Sequence, residues 1–316
     1  MSRAVVATGF GGPEVLSVVD ETVPDPGPGQ VLIDVRAIGV NPIDFKLYSG
    51  LMGSDPSHLP MRLGSEASGV VAAVGDGATG ANGPVAVGDE VIAYRAPGAY
   101  AERLLVAGSS LVPKPGSMTF AQAGGLMLTG ATAVHALAAA SVGAGDTVLI
   151  HAASGGVGLM AVQVALARGA TVIGTASPPQ HELLRSFRVL PVAYGPGLAE
   201  RVRALAPSGV DSAIDCVGTD EAIDTSVELV ADRSRIATIA AFQRGFQLGV
   251  KVLGGAPGAD AGVEIRDAAR MELVRLFQEA KLEILVGATY ALEEAAAAHR
   301  DVAGGHTTGK VVLLAG

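Results

Sequence analysis

The chain is 316 residues long, enough for about two domains at roughly 150 residues each. It carries 22 Lys and Arg against 31 Asp and Glu, a net charge of −9. That balance excludes a phosphate-tracking nucleic-acid surface as the main business of the protein. A single cysteine, Cys216, excludes an internal disulfide framework and a four-cysteine zinc site, and points to a reducing, cytoplasmic compartment. The first twenty residues, MSRAVVATGFGGPEVLSVVD, lack a charged segment followed by a long apolar one, so no signal peptide is expected. No run of about 18 apolar residues occurs, so no membrane span is expected either.

The opening third, to about Pro115, reads as short strands separated by turns. Gln30–Val40, Gly69–Val74, Val85–Tyr94 and Tyr100–Val106 are rich in Val, Ile and Leu, and between them lie PDPGPGQ, GDGATGANG and APGAY. An all-β or barrel-like domain is the expectation. From Thr119 the pattern changes to helix (TFAQAGGLMLTGATAVHALAAA) and then to regular alternation. Strands are expected over Asp146–His151, Ala170–Thr175, a short stretch ending near Tyr194, Val210–Cys216 and Arg235–Ile239. Helices are expected over Ala161–Arg168, Glu182–Arg188, Leu198–Leu205 and Glu221–Ala231. Apolar strands alternating with helices imply a doubly wound parallel sheet. A long helix, Glu264–Lys281, then a strand, a short helix around Glu293–Val302 and a closing strand Lys310–Leu314 complete the chain. These last elements are too few for a domain, so the tail is expected to rejoin the first. The expected division is 1–117 and 259–316 for a β-rich domain, with 118–258 between them.

The most informative segment is DTVLIHAASGGVGLMAVQVALAR, residues 146–168. A buried strand runs into a tight turn and then a helix, and Ala153, Gly155 and Gly158 fill the three small-residue positions of a dinucleotide-binding fingerprint. Ala153 departs from the usual glycine. Backbone N–H groups of Ser154, Gly155, Gly156, Val157 and Gly158 at the helix start would face a diphosphate. An NAD-binding site usually has an Asp or Glu at the end of the second strand, whereas here the strand ends in Ala176-Ser177 with no carboxylate before Glu182. NADPH is therefore favoured, with Ser177, His181, Arg185 and Tyr194 as donors available to its extra phosphate.

GFGGPEVL, VNPIDFKLYSG, LGSEASGVVAAVG, VGDEVIAY, GAYAERLLV, LTGATAVHAL, AASGGVG and GKVVL occur in an order that resembles the zinc-free quinone oxidoreductase (zeta-crystallin-like) branch of the medium-chain dehydrogenase/reductase superfamily. The resemblance spans nearly the whole chain. It implies an α/β protein with a GroES-like catalytic domain, an inserted Rossmann domain, a cofactor cleft between them, and a homodimer through the Rossmann sheet edge. Zinc-bearing members have Cys where this chain has Asn41 and Gly-His-Glu where it has Gly64-Ser65-Glu66, so no metal is expected. By the same resemblance Asn41, Thr129 and Lys310 lie toward the nicotinamide end, Ala240, Ala241 and Phe242 pack against it, and Cys216 sits beside the cofactor. Ser177 and Tyr194 match positions that touch the 2′-phosphate. A lysine usual in the branch would fall at Gln180 or His181, which implies weaker NADPH binding, or a binding that His181 makes pH-dependent.

The activity implied is hydride transfer from NADPH to a quinone or other enone-type acceptor, with Asn41, Lys46, Tyr48 and Tyr94 lining the reaction site. Asp44 and Lys46 could equally be a solvent-facing pair. Orientation carries much of such a reaction, so a missing general acid does not exclude it. Two other functions remain open on sequence: an enoyl-thioester reductase, and a non-enzymatic NADPH-binding protein. His58, His135, His151, His299 and His306 are scattered, and His135 on an apolar helix face and His151 at a strand end read as structural.

Overall fold

The computed structural model describes residues 1–305 and 307–316; His306, one of the scattered histidines, lies outside the described residues. Two compact units are present: Met1–Leu128 with Ile284–Gly316, and Thr129–Glu283.

The first unit is built on a seven-stranded sheet. Along it lie Leu111–Pro113, Glu90–Tyr94, Glu66–Val74, Gln30–Val40, Lys310–Leu314 and Val286–Ala291, with Arg103–Ala107 also pairing to Gln30–Val40. The eleven-residue Gln30–Val40 strand is the hub. Its register against Glu66–Val74 shifts at Leu32/Ile33 and again at Val35/Ala37, which bends it so that it serves three partners. Alternate aliphatics such as Val31, Ile33 and Val35 face one core with Tyr48, Leu63, Tyr100, Leu292 and Leu313. A smaller sheet joins Ser2–Ala7 to Leu16–Glu21 and Met61–Arg62, elements the strand spacing did not signal.

The helix expected from Thr119 forms as two, Phe120–Gly124 and Met127–Ala139. The break falls at two glycines in close contact with the strands: a Cβ on Gly124 would lie 2.7 Å from the Ala37 carbonyl oxygen, and one on Gly125 would press 3.2 Å from the Lys310 side chain. Glycine lets this segment lie directly on two strands.

The second unit is a six-stranded sheet in the order Leu190–Val192, Thr171–Thr175, Thr147–His151, Ser212–Asp215, Ile236–Thr238, Lys251–Val252, every pair parallel. Counted along the unit this is 3-2-1-4-5-6, the doubly wound dinucleotide-binding order. Its core includes Leu149, Ile173, Val202, Ala213, Ile223 and Ile236. The Phe242–Leu248 helix and the Lys251–Val252 strand extend the alternation beyond the elements read from sequence. The long helix, Val263–Gln278, belongs to this unit rather than to a returning tail that begins at 259. Leu273 on that helix packs where a side chain at Gly130 would otherwise stand, so the return to the first unit begins at Ile284.

Candidate functional site

In the second unit the candidate cofactor residues converge on the carboxyl edge of the sheet, where ligands bind in doubly wound folds. Ser154–Gly158 follow the first strand, Ser177 and His181 the second, Tyr194 the third, Cys216 the fourth and Ala240–Phe242 the fifth. Five parallel strands thus deliver five loops to one side.

The first loop is tightly held. Ala152 adopts a left-handed backbone (φ 54°), which costs a non-glycine residue about 1 kcal/mol or more. The turn persists because the Ala152 and Ala153 N–H groups donate to the Thr175 Oγ1 and carbonyl oxygen at 3.0 and 2.9 Å. The helix Gly156–Ala167 follows, capped by Gly155 in extended geometry. Two of the three glycines of this turn have different reasons. A Cβ on Gly158 would overlap the Ala152 carbonyl and lie 2.8 Å from Ala153 Cα, so glycine is needed for helix to meet strand. A Cβ on Gly155 would meet only the Ala152 carbonyl oxygen, at 3.3 Å, so protein packing alone does not demand glycine there. The space it leaves lies at a helix N-terminus and fits a diphosphate.

The second and third loops lie side by side. Thr175 pairs with Val192, and the Ala176 N–H continues that ladder to the Val192 carbonyl at 3.0 Å. Ser177 and Tyr194 each come two residues after this pair. Tyr194 is 60% exposed, and His181 is tethered by Nε2 to the Ala176 carbonyl at 3.1 Å. Arg185 is exposed on the short helix His181–Ser186. No carboxylate stands at the end of the second strand, where an acid would repel a phosphorylated ribose. These features fit NADPH.

The fourth loop is organised by Asp215, which sequence reasoning passed over. Its carboxylate accepts from the Val217 and Gly218 N–H groups at 3.0 and 2.9 Å and from the Thr238 hydroxyl at 2.7 Å. Thr238 Oγ1 in turn accepts from the Ala240 and Ala241 N–H groups, so one acid fixes two loops. The signal for it was present: an Asp two residues before a Val-Gly turn is an Asx-turn former. Burial and Asp215 push the Cys216 thiol upward, which keeps it protonated and a poor metal ligand. His151, against Ser226 Oγ at 3.0 Å, is driven down to about 4 by burial, and His135 is buried between Asp260 and Arg266. Both are structural.

In the first unit Asn41 and Lys310 come together, but as part of a buried polar cluster. The Lys310 ammonium donates to the Asn41 Oδ1 at 2.6 Å, the Val40 carbonyl at 3.1 Å and Glu66 Oε1 at 3.3 Å, using its three protons. The Asn41 amide donates to Glu66 Oε1 at 2.9 Å and the Gly39 carbonyl at 3.2 Å, while Glu66 Oε2 accepts the Leu128 N–H at 2.8 Å. Adjacent antiparallel strands bring these groups to one end of the sheet. Gly39 is required there, because a Cβ would overlap the Glu66 carboxylate. The Asn41 and Glu66 side chains are wholly buried and Lys310 is 3% exposed.

A second chain of bonds adjoins the first. Asp44 caps the helix Pro42–Tyr48 by accepting the Asn41 N–H at 2.8 Å, the spacing of a capping box. It also accepts from Tyr100 at 3.1 Å. The Tyr100 hydroxyl meets His299 Nε2 at 2.8 Å, and the Tyr48 hydroxyl meets His299 Nδ1 at 2.7 Å with the two rings stacked. Burial raises Asp44 to about 7 and Tyr48 to about 12, and lowers His299 to about 4.

The structure corrects two expectations here. Asp44 is buried, so it is no solvent-facing partner of Lys46, which is half-buried on the same helix. Asn41 and Tyr48 are buried, at most 1% exposed, with their polar groups already paired, so they do not offer free donors to a substrate; Tyr94 is 4% exposed. The polar groups of two are turned inward, Asn41 to Lys310 and Glu66 and Tyr48 to His299, while the Tyr94 ring lies beneath the Arg95 guanidinium. Thr129 is buried at the start of the second unit. Glu66, Tyr100 and His299 are the members that sequence reasoning did not assign, and Tyr100 and His299 lie 199 positions apart. Among the described residues no group of three or more His, Cys, Asp or Glu could hold a metal.

Comparison with known proteins adds four findings. Residues 27–141 match the alcohol dehydrogenase GroES-like domain and residues 191–313 the family described as zinc-binding dehydrogenase. A quinone oxidoreductase of Pseudomonas aeruginosa is 34% identical over 333 residues, covering 99% of this chain and 100% of the relative. A mycobacterial protein solved in complex with NADPH superposes with a TM-score of 0.86 at 34% identity, covering 99% of each chain. The Escherichia coli quinone oxidoreductase, also solved with NADPH, gives 0.85 at 28% identity over 99% of this chain and all of that one.

Proposed function

The chain belongs to the quinone oxidoreductase family of medium-chain dehydrogenases/reductases, and from that premise we propose that it is an NADPH-dependent reductase of quinones or other enone-type acceptors that works without a metal. The observation that carries this reading is the carboxyl edge of the parallel sheet, where a glycine turn, a carboxylate-free second strand and an exposed Tyr194 stand in adjacent loops. NADPH would supply the hydride. Ser154–Gly158 would hold its diphosphate on backbone N–H groups, and Ser177, His181 and Tyr194 would take the 2′-phosphate. Cys216 and Ala240–Phe242 would border the remainder, and Thr129 the nicotinamide end. Asn41 and Lys310 would act from within their cluster, fixing the backbone at Val40–Asn41 rather than donating directly. Lys46, Tyr48 and Tyr94 would shape the acceptor's surroundings.

We place the protein in the cytoplasm as a homodimer. Its single cysteine supports the compartment, and no described helix is long and apolar enough to cross a membrane. The terminal position of Lys251–Val252 in the second unit's sheet supports pairing at that edge. The test is NADPH oxidation by the purified protein against a panel of quinones, 2-alkenals and a crotonyl thioester, with NADH as control. Turnover of quinones or alkenals with NADPH is expected. Turnover of the thioester alone, or tight NADPH binding with no acceptor reduced, would overturn the assignment.

A further inference from the structure

The loop from Ala193 to Gly197, which carries Tyr194, has little to hold it in place by composition. Gly195 and Gly197 both adopt left-handed backbones (φ 101° and 80°), flanking Pro196, and Tyr194 projects into solvent. Such a segment has high conformational freedom when unbound. One side chain ties it down. Arg201, on the helix Leu198–Leu205, reaches back over the start of its own helix. It donates from Nε and one terminal nitrogen to the Ala193 carbonyl at 3.2 and 2.8 Å, from the same terminal nitrogen to the Gly195 carbonyl at 2.8 Å, and from the other to the Pro196 carbonyl at 2.7 Å. The planar fork thus gathers three carbonyls on both sides of Tyr194 in a fixed geometry that an ammonium on a flexible stem does not impose. Glu221 completes the clamp by accepting the Gly195 N–H at 2.9 Å.

The electrostatics point the same way. A cation in the first turn of a helix stands at the positive end of the dipole, the unfavourable end. Among the described residues Arg201 makes no ion pair; Glu200 and Glu221 are the nearest carboxylates by chain and by loop contact. The guanidinium thus places a positive charge beside Tyr194, on the loop whose neighbour carries Ser177 and His181.

We propose that Arg201 is a positioning residue that sets the preference for the 2′-phosphorylated coenzyme, by fixing the Tyr194 loop and by adding positive potential to it. The proposal rests on the coenzyme role given above to Tyr194. Arg201 does not touch the coenzyme; its guanidinium is already committed to the loop.

The experiment uses the full-length protein and measures dissociation constants for NADPH and NADH by fluorescence, and for 2′,5′-ADP and AMP by calorimetry. Arg201→Met is expected to weaken NADPH and 2′,5′-ADP about tenfold, the scale of one hydrogen bond to a charged group, while NADH and AMP change less than about twofold. Arg201→Lys is expected to fall between, since it retains charge without the fork. It also serves if the Met variant folds poorly. Equal losses for phosphorylated and unphosphorylated ligands in either variant, or no loss in both, would overturn the proposal. Tyr194→Phe separates the premise from the inference. If it leaves the NADPH-to-NADH ratio unchanged, the assignment of Tyr194 fails and this route with it; if it shifts the ratio while neither Arg201 variant does, only the role of Arg201 fails.

Discussion

The candidate site residues of the two units treat their polar groups in opposite ways. In the first, Asn41, Asp44, Glu66, Tyr100, His299 and Lys310 satisfy one another in the interior, and every donor of Lys310 has an acceptor. In the second, the candidate coenzyme groups Ser154–Val157, Ser177, His181 and Tyr194 stand at the sheet edge, half-buried or exposed. A closed cluster holds backbone in place, whereas an open edge can meet a solute. A tyrosine therefore signifies different things according to whether the fold has already paired it: Tyr48 and Tyr100 are committed to His299, whereas Tyr194 stands exposed.

Removing one member of the closed cluster should give the largest effect. Glu66→Gln leaves the Lys310 ammonium buried without its counter-ion, and a loss of about 3–5 kcal/mol in unfolding free energy by denaturant titration is expected. A loss below about 1 kcal/mol would mean that the cluster is open to water in solution.

The glycine turn offers a sharper contrast within one loop. Gly158→Ala forces a methyl group into the Ala152 backbone and should cost about 1–3 kcal/mol of stability. Gly155→Ala should leave thermal stability nearly unchanged yet weaken NADPH binding about tenfold or more, because the added methyl takes the space assigned to the diphosphate. Equal stability losses for both would show that this space is filled by the protein itself.

A further effect is in pH dependence. Asp44 has a folded value near 7 against 3.8 unfolded, so the folded state holds the extra proton and stability falls as pH rises between about 4 and 7. His299 and His151, near 4 against 6.5, act in the reverse sense: the folded state holds fewer protons, and stability rises with pH between about 4 and 6.5. Asp44→Asn removes the opposing contribution, so its stability should climb more steeply than that of the native chain across this window in denaturant titrations at successive pH values.

Much of the second unit was legible in the sequence, because its logic is local. Strand, small-residue turn and helix follow one another in DTVLIHAASGGVG, and the absent carboxylate at Ala176-Ser177 is a matter of one position. The Leu198–Leu205 helix and the Lys310–Leu314 strand were readable for the same reason. The long helix was readable too, but not its allegiance, which depends on the packing of Leu273 at Gly130. The buried cluster was not legible. Asn41 and Lys310 are separated by 269 positions, and only the sheet register makes them neighbours. Family resemblance could nominate these two, and it could not reveal that Glu66 occupies their donors. Asp44 had a local sign in its spacing from Asn41, while nothing near His299 in the chain foretells two tyrosines.

The Tyr48, His299, Tyr100 and Asp44 contacts have a directional consequence. With Asp44 ionised, the Tyr100 hydroxyl proton must point to the carboxylate, so Nε2 of His299 must supply the proton to Tyr100 and Nδ1 must receive the one from Tyr48. When Asp44 takes up a proton, every arrow can turn round: the acid donates to Tyr100, Tyr100 to Nε2, and Nδ1–H to Tyr48. The imidazole stays neutral throughout and merely exchanges tautomers, a change that nitrogen NMR of labelled histidine should register as pH is lowered through about 7. The interior can thus alter its charge by one unit while no hydrogen-bonding partner in this row is lost.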